Sequence, residues 1–276
     1  MRYLKIWVGG AILLLLVIFG LAAPLLAPYD PQEQTLEDRL QPPSWTAQAR
    51  GPYLLGTDNL GRDILSRIIY GSRISLLVGA TTVILAGFMG CFLGAIAGYF
   101  GDLTDEIISK ITEIFLAFPF LLMAIALMAF LGQGLVNLIL ALMITRWVQY
   151  CRVVRGEVLS LKERDFVTAV RALGGRDFYI LLRHVVPNTF ASVTVIATFA
   201  MAIVIIAEAS LSFLGLGVPA SIPTWGSMLS EGRVYMYRAP WLTIFPGVAI
   251  FITVFGINLL GDGLRDVLDP KLRGHR

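Results

Sequence analysis

Apolar residues in this chain come in long unbroken runs rather than in alternation. Six stand out: Ile6 to Ala27, Ser75 to Phe100, Ile111 to Leu131, Gly134 to Val154, Ala191 to Leu216 and Trp241 to Leu260. A helix needs about 20 apolar residues to cross the hydrocarbon of a bilayer, whereas a barrel strand needs about ten that alternate in and out. The runs have the helical length and do not alternate, so the pattern predicts an all-α polytopic membrane protein of six transmembrane helices. Polar positions gather between the runs. Two connections are long, residues 29–74 and 155–190. Those joining the second run to the third and the third to the fourth are short, ten residues and two, which makes these helices antiparallel neighbours. The expected organisation is an amino-terminal helix over 1–28, a polar segment over 29–74 and a five-helix core over 75–276.

Composition narrows the class. Of 276 residues 57% are hydrophobic and 15% charged, with mean hydropathy +0.75, where a soluble domain carries about 25% charged residues. That excludes an ordinary soluble enzyme and a disordered chain. Two cysteines exclude a disulfide scaffold, and a net charge of +3 is too small for a nucleic-acid-binding surface. The first run resembles a signal peptide, with Arg2 and Lys5 ahead of it and Ala22 and Ala23 after it. It is longer than such a segment and Pro24 follows directly, so it reads as a retained anchor. Placing the amino end in the cytoplasm puts 15 of the 22 Lys and Arg on the cytoplasmic side and 7 outside. Positive charge accumulates inside, so both termini and residues 155–190 are expected in the cytoplasm and residues 29–74 outside. Trp45, Trp225 and Trp241 fall near the expected outer interface, where indoles anchor.

The outer segment contains GTDNLGRD, Gly56 to Asp63. As a phosphate-binding loop it fails: Arg62 stands where the lysine should be, Asp63 where the hydroxyl should be, and no apolar strand precedes it. It reads as a glycine-punctuated turn entering a helix over Ile64 to Ser75, with Arg62, Arg67 and Arg73 near lipid headgroups. With no other nucleotide loop, any ATP used must be hydrolysed by another chain.

The inner connection holds DFVTAVRALGGRDFYILLRHVVPN, Asp165 to Asn188. Phe166, Val170 and Leu173 recur at helical spacing and give one apolar face, with Arg164, Arg171 and Arg176 close by. Gly174 and Gly175 supply the positive φ that ends a helix, Asp177 starts the next, and Pro187 stops it. This is a hairpin of two short helices, readable either as an amphipathic element resting on anionic lipid or as a docking element for a soluble protein.

These residues resemble a known family. Thr168-Ala169-Val170, Gly174, Ile180 and Pro187 are spaced as in the EAA motif of binding-protein-dependent ABC importer permeases. Leu54 to Leu76, Glu208 to Leu229 and Leu259 to Arg273 resemble the second permease of the dipeptide, oligopeptide and nickel group. The resemblance implies a type I importer permease fold with an extra amino-terminal helix. It implies a second permease chain, two ATPase subunits holding ATP and Mg, an extracytoplasmic binding protein, and no cofactor in this chain. In similar permeases the EAA hairpin sits in a cleft of the ATPase subunit, which maps coupling contacts to Asp165, Thr168, Ala169, Val170, Leu173, Gly174 and Pro187, centred on Ala169, Leu173 and Gly174. The motif glutamate is Thr168 here and its second alanine Val170; Asp165 or Glu163 stands ready as a substitute carboxylate.

Other features are read from residue chemistry. Glu208 and Arg146 lie within apolar runs, where charge is costly; they are pathway contacts or structural residues, and a pair between them is one alternative. Gly90, Gly94 and Gly98 form a small-residue stripe for close helix packing with a neighbour in this chain or another. Pro119 and Pro246 are sites for kinks. Cys91 is placed mid-membrane and Cys151 near the inner face, too far apart to bridge. His184 and His275 are not clustered with other ligands. The alternative function, a secondary transporter without an ATPase, predicts inverted repeats that are not found. A membrane enzyme predicts clustered polar catalytic residues, also not found.

Overall fold

A computed structural model describes residues 2–49 and 51–268. The charges expected inside at Lys271, Arg273 and Arg276, together with His275, Arg50 and the side chain of Arg2, lie outside the described residues.

Helix α1, Arg2–Leu21, is followed by the short turn α2, Ala23–Leu26. The polar segment then runs without long elements to α3, Ile64–Phe100, whose start is fixed by Asp63: its carboxylate accepts the Ser66 backbone N–H at 2.8 Å. The helix expected over 64–75 and the second apolar run are thus one element of 37 residues, about 55 Å long. Gly101, with φ +67°, breaks the chain into α4, Asp102–Leu116, and Pro119 caps α5, Phe120–Leu131. The third run is therefore not one straight span: its two helices meet at 87°. A proline at this junction cannot donate to the preceding turn, which is why the break falls there.

Helix α6, Leu135–Leu161, is followed by the hairpin helices α7, Asp165–Ala172, and α8, Asp177–Ile180, then α9, Phe190–Phe213, α10, Trp225–Gly232, and α11, Trp241–Leu268. Four helical stretches among the described residues are long and apolar enough to cross a bilayer, Tyr3–Leu21, Ile64–Phe100, Asp177–Phe213 and Trp241–Leu268, and the bent α4–α5 pair reaches that length and apolarity only when its two helices are taken together. The sequence predicts a sixth in α6, whose 27 residues suffice in length but include Arg146, Arg152, Arg155 and Glu157; it falls short on apolarity, not on length. Pro246 lies inside α11 without ending it.

The glycine stripe shows how the bundle closes. A Cβ on Gly90 or Gly94 would collide with the carbonyl oxygens of Trp147 and Cys151, and one on Gly98 would lie 2.8 Å from the Arg155 carbonyl oxygen. The neighbour is thus α6 of the same chain, and α3 and α6 pack backbone to backbone, as small residues permit in a medium with little hydrophobic drive between helices. Cys91 and Cys151, placed at different depths by the sequence, pack in this same cluster as free thiols. Helices α1 and α11 lie antiparallel, with Lys5 and Asp266 paired at 3.1 Å, so the described ends of the chain meet. They do so at the end of the bundle that carries the hairpin; the polar segment and α10 occupy the opposite, loop end. Outward faces of the long helices remain apolar, with Trp7, Phe88 and Phe130 at least three-quarters exposed, a surface suited to lipid or to another membrane chain.

Candidate functional site

The hairpin is seated on the ends of α3 and α6. Val167 is buried and Val170 half-buried, both packed in a cluster with Ala95, Tyr99, Val158, Ile180, Leu181 and Val185. This splits the apolar face expected from Phe166, Val170 and Leu173. Helical geometry places residue 167 some 100° from 166, and the edge that docks is the valine edge. Phe166, Ala169 and Leu173 are left as an outward ridge, with Leu173 88% exposed. Phe178, just beyond the turn, is 61% exposed.

The turn closes α7 in the Schellman pattern. Gly174 N–H donates to the Arg171 carbonyl and Gly175 N–H to the Val170 carbonyl, both at 3.0 Å. Only Gly174 has positive φ, +87°; Gly175 is needed for space, since its Cβ would stand 2.9 Å from the Val170 carbonyl oxygen. Asp177 opens α8 and accepts the Tyr99 hydroxyl at 2.9 Å, while Arg171 donates to the same hydroxyl oxygen at 3.4 Å. One tyrosine near the end of α3 therefore ties both arms of the hairpin to the bundle.

Pro187 does not stop the second arm. The chain passes through a π-helical turn, Leu181–Val185, and a tight turn, Val186–Thr189, directly into α9. The wider turn accommodates the missing proline N–H and the ring against the preceding carbonyls, so the helix continues past it. Of the coupling residues read from the sequence, Asp165, Thr168, Ala169, Leu173 and Gly174 are exposed on α7 and its turn, and Val170 faces partly inward; Pro187 is exposed on the connection to α9. Thr168 spends its hydroxyl on the Arg164 and Asp165 carbonyls of its own helix.

The intramembrane charges do not meet each other. Glu208 is fully buried and accepts from Ser75 Oγ on α3 and Ser212 Oγ on α9, each at 2.9 Å. Arg146 stacks 3.7 Å over the Phe120 ring and donates to Gln149 at 3.3 Å. The alternative of an ion pair between them is thereby set aside.

At the loop end GTDNLGRD forms a knot of charge. Asp58 accepts from Arg62 Nε at 2.6 Å and from Arg67, and Glu231 at the end of α10 accepts from Arg62 Nη2 at 2.6 Å and Arg67 Nη1 at 2.9 Å. Arg67 is buried at 1% exposure, so Arg62 and Arg67 do not reach headgroups as expected; only Arg73 is exposed. Breaking a buried pair of this kind costs about 3–5 kcal/mol. Nearby, Tyr53 donates to Asp38 at 2.8 Å, and burial together with that carboxylate pushes its hydroxyl up to about 12, so it stays a donor at physiological pH. Trp225 is buried with its indole N–H on the Ile68 carbonyl, and Trp241 donates to Thr57; of the three expected interface anchors only Trp45 is exposed. Sequence reasoning missed Tyr99 and Glu231, which no local pattern marks.

A helical bundle with several apolar spans, small-residue packing and one basic hairpin at an end defines a multi-pass membrane protein. The chain belongs to the family of binding-protein-dependent transport system inner membrane components, which matches residues 90–274. Residues 6–43 match the N-terminal TM domain of oligopeptide transport permease C, which accounts for the extra helix α1. The chain is 44% identical to a di/tripeptide transport system permease protein of Pseudomonas aeruginosa, across 96% of this chain and 88% of that one. It is 43% identical to a glutathione transport system permease protein of Pectobacterium atrosepticum, covering 96% and 86%. It is 42% identical to an oligopeptide transport system permease protein of Bacillus subtilis, covering 96% and 85%.

Proposed function

We propose that this chain forms half of the translocation pathway of an ATP-driven importer in the bacterial inner membrane. Its cargo is peptides or a related small solute such as a dipeptide, oligopeptide, glutathione or nickel, delivered by an extracytoplasmic binding protein. A second permease completes the pathway, and two ATPase subunits hold ATP and Mg, so this chain itself is not an enzyme. In this reading the hairpin end is cytoplasmic, and the loop end, with residues 29–74, faces the binding protein. The named relatives supply the cargo classes.

The observation that carries the reading is the ridge of Phe166, Ala169 and Leu173 on α7, ended by Gly174. It is apolar, exposed and rigidly mounted, as a helix that lies in a groove requires. Its inner edge is packed on α3 and α6, and Tyr99 holds both arms. A push on the ridge therefore moves α3 and α6 as a body, since packed interfaces shift between discrete arrangements rather than deform continuously.

The test is mild-detergent purification of the tagged chain expressed with its native gene neighbours, followed by identification of co-purifying proteins and an ATPase assay. A second permease and ATPase subunits are expected, with the ATPase lost on Leu173→Asp while thermal unfolding of the permease stays unchanged. A lone chain that transports solute without ATP would sink the reading and make the basic hairpin a lipid contact.

A further inference from the structure

At the loop end a cleft of about 720 Å³ lies between residues 24–32, the first third of α3, and the loop at 222–223; Tyr29, Asp30, Tyr70, Arg73 and Pro223 line it. Small-molecule sites commonly occupy ~300–1,000 Å³. Two charges of opposite sign face this one space. Arg62 and Arg67 are consumed by Asp58 and Glu231, whereas Arg73 makes no ion pair or side-chain hydrogen bond among the described residues, and the Asp30 carboxylate accepts only the Gln32 backbone N–H among them, at 2.8 Å. The second Asp30 carboxylate oxygen and the whole Arg73 guanidinium are left for a ligand.

The walls are held in place. Tyr29 N–H donates to Ser66 Oγ at 3.1 Å, Tyr29 packs 5.1 Å from Tyr53, and the Gln32 amide donates to the Ser221 carbonyl at 3.0 Å across the cleft's edge. A site whose walls are already ordered loses less entropy when it binds. We propose that this cleft binds a short zwitterionic peptide, Asp30 receiving its ammonium and Arg73 its carboxylate, with the tyrosine and proline surfaces against its side chains. An anion or a cation alone would leave one charge unmatched. A tripeptide, about 10 Å when extended, carries both charges at a separation such a cleft can span. The cleft is then a receiving site on the permease for cargo released by a binding protein, an assignment that rests on the importer reading and narrows its cargo to peptides.

A phosphatidylethanolamine headgroup shares the chemistry of one ammonium and one anion, so the experiment separates the two sources. The complex that purifies with this chain, without binding protein, is placed in nanodiscs of phosphatidylglycerol and phosphatidylcholine and titrated with radiolabelled tri-alanine. Saturable binding is expected, weakened about tenfold by Arg73→Gln or Asp30→Asn, the loss of one charged contact. Amino-acetylated tri-alanine should bind as weakly to the parent protein as to Asp30→Asn, and carboxy-amidated tri-alanine should show the same equivalence with Arg73→Gln. Unaltered binding in both variants, no saturable binding, or loss of binding when phosphatidylethanolamine is added to the nanodiscs overturns the site. ATPase subunits are scored in the same samples: their presence without peptide binding removes the cleft and leaves the importer reading standing, and their absence removes that reading.

Discussion

Gly94 and Gly174 are both glycines for structural reasons, but the reasons differ and so do the expected consequences. A Cβ on Gly94 runs into the backbone of α6 at Cys151, while one on Gly174 meets nothing within 4 Å and is opposed only by φ +87°. Gly94→Ala should cost about 3 kcal/mol, the upper range for overpacking, because a backbone carbonyl cannot step aside. It will lower the melting temperature of the whole chain in detergent. Gly174→Ala should cost about 1–2 kcal/mol of backbone strain confined to the hairpin turn and leave that temperature nearly unchanged. Equal shifts for the two would contradict the assignment. Both glycines were legible from spacing, but the partner of the first was not, since a stripe of small residues does not say which helix lies against it. The same limit hid Glu231 from its partner Arg67, which is 164 residues away in the chain.

Among the elements, the hairpin shows most clearly where a pattern stops informing. Residues 166, 170 and 173 and residues 167 and 170 both satisfy helical spacing; only the site of docking decides which edge turns inward. The ends of α3 and α6 present Ala95, Val154 and Val158, and the slim valine edge fits against them while Phe166 and Leu173 stay out. The connection to α9 departs from the expected stop for a related reason. Pro187 signals a stop when the preceding turn is α-helical, and a π turn relieves the clash. What pins the element is Tyr99, and Tyr99→Phe should remove about 1 kcal/mol from hairpin docking. Amide hydrogen exchange over residues 165–180 should then run about fivefold faster while exchange in α3 and α6 is unchanged. If the hairpin exchanges at the parent rate, the two hydrogen bonds to that hydroxyl do not hold it.

For the molecule as a whole, the sequence pattern conveyed the number of apolar runs and the all-helical class, because hydrocarbon demands length and internally satisfied backbones. It marked Pro119 as a kink site, where the third run does break, but not the 87° angle there, nor that the second run and the helix from Ile64 are one element, since the angle depends on packing and continuity on the cap at Asp63. The assembled picture has two working ends joined by α3: at one, its first turns are locked to α10 through Arg67 and Glu231; at the other, its last turn holds the hairpin through Tyr99. In the proposed reading, a displacement at the hairpin is carried to the loop end along this one helix of 37 residues. The central claim is that the ridge on α7 is where force enters. A photo-crosslinking amino acid placed at Leu173 in living cells tests it directly. A single major crosslink to an ATPase subunit, weakened when that subunit is trapped away from the permease, is the predicted result. Crosslinks to lipid alone would contradict the account.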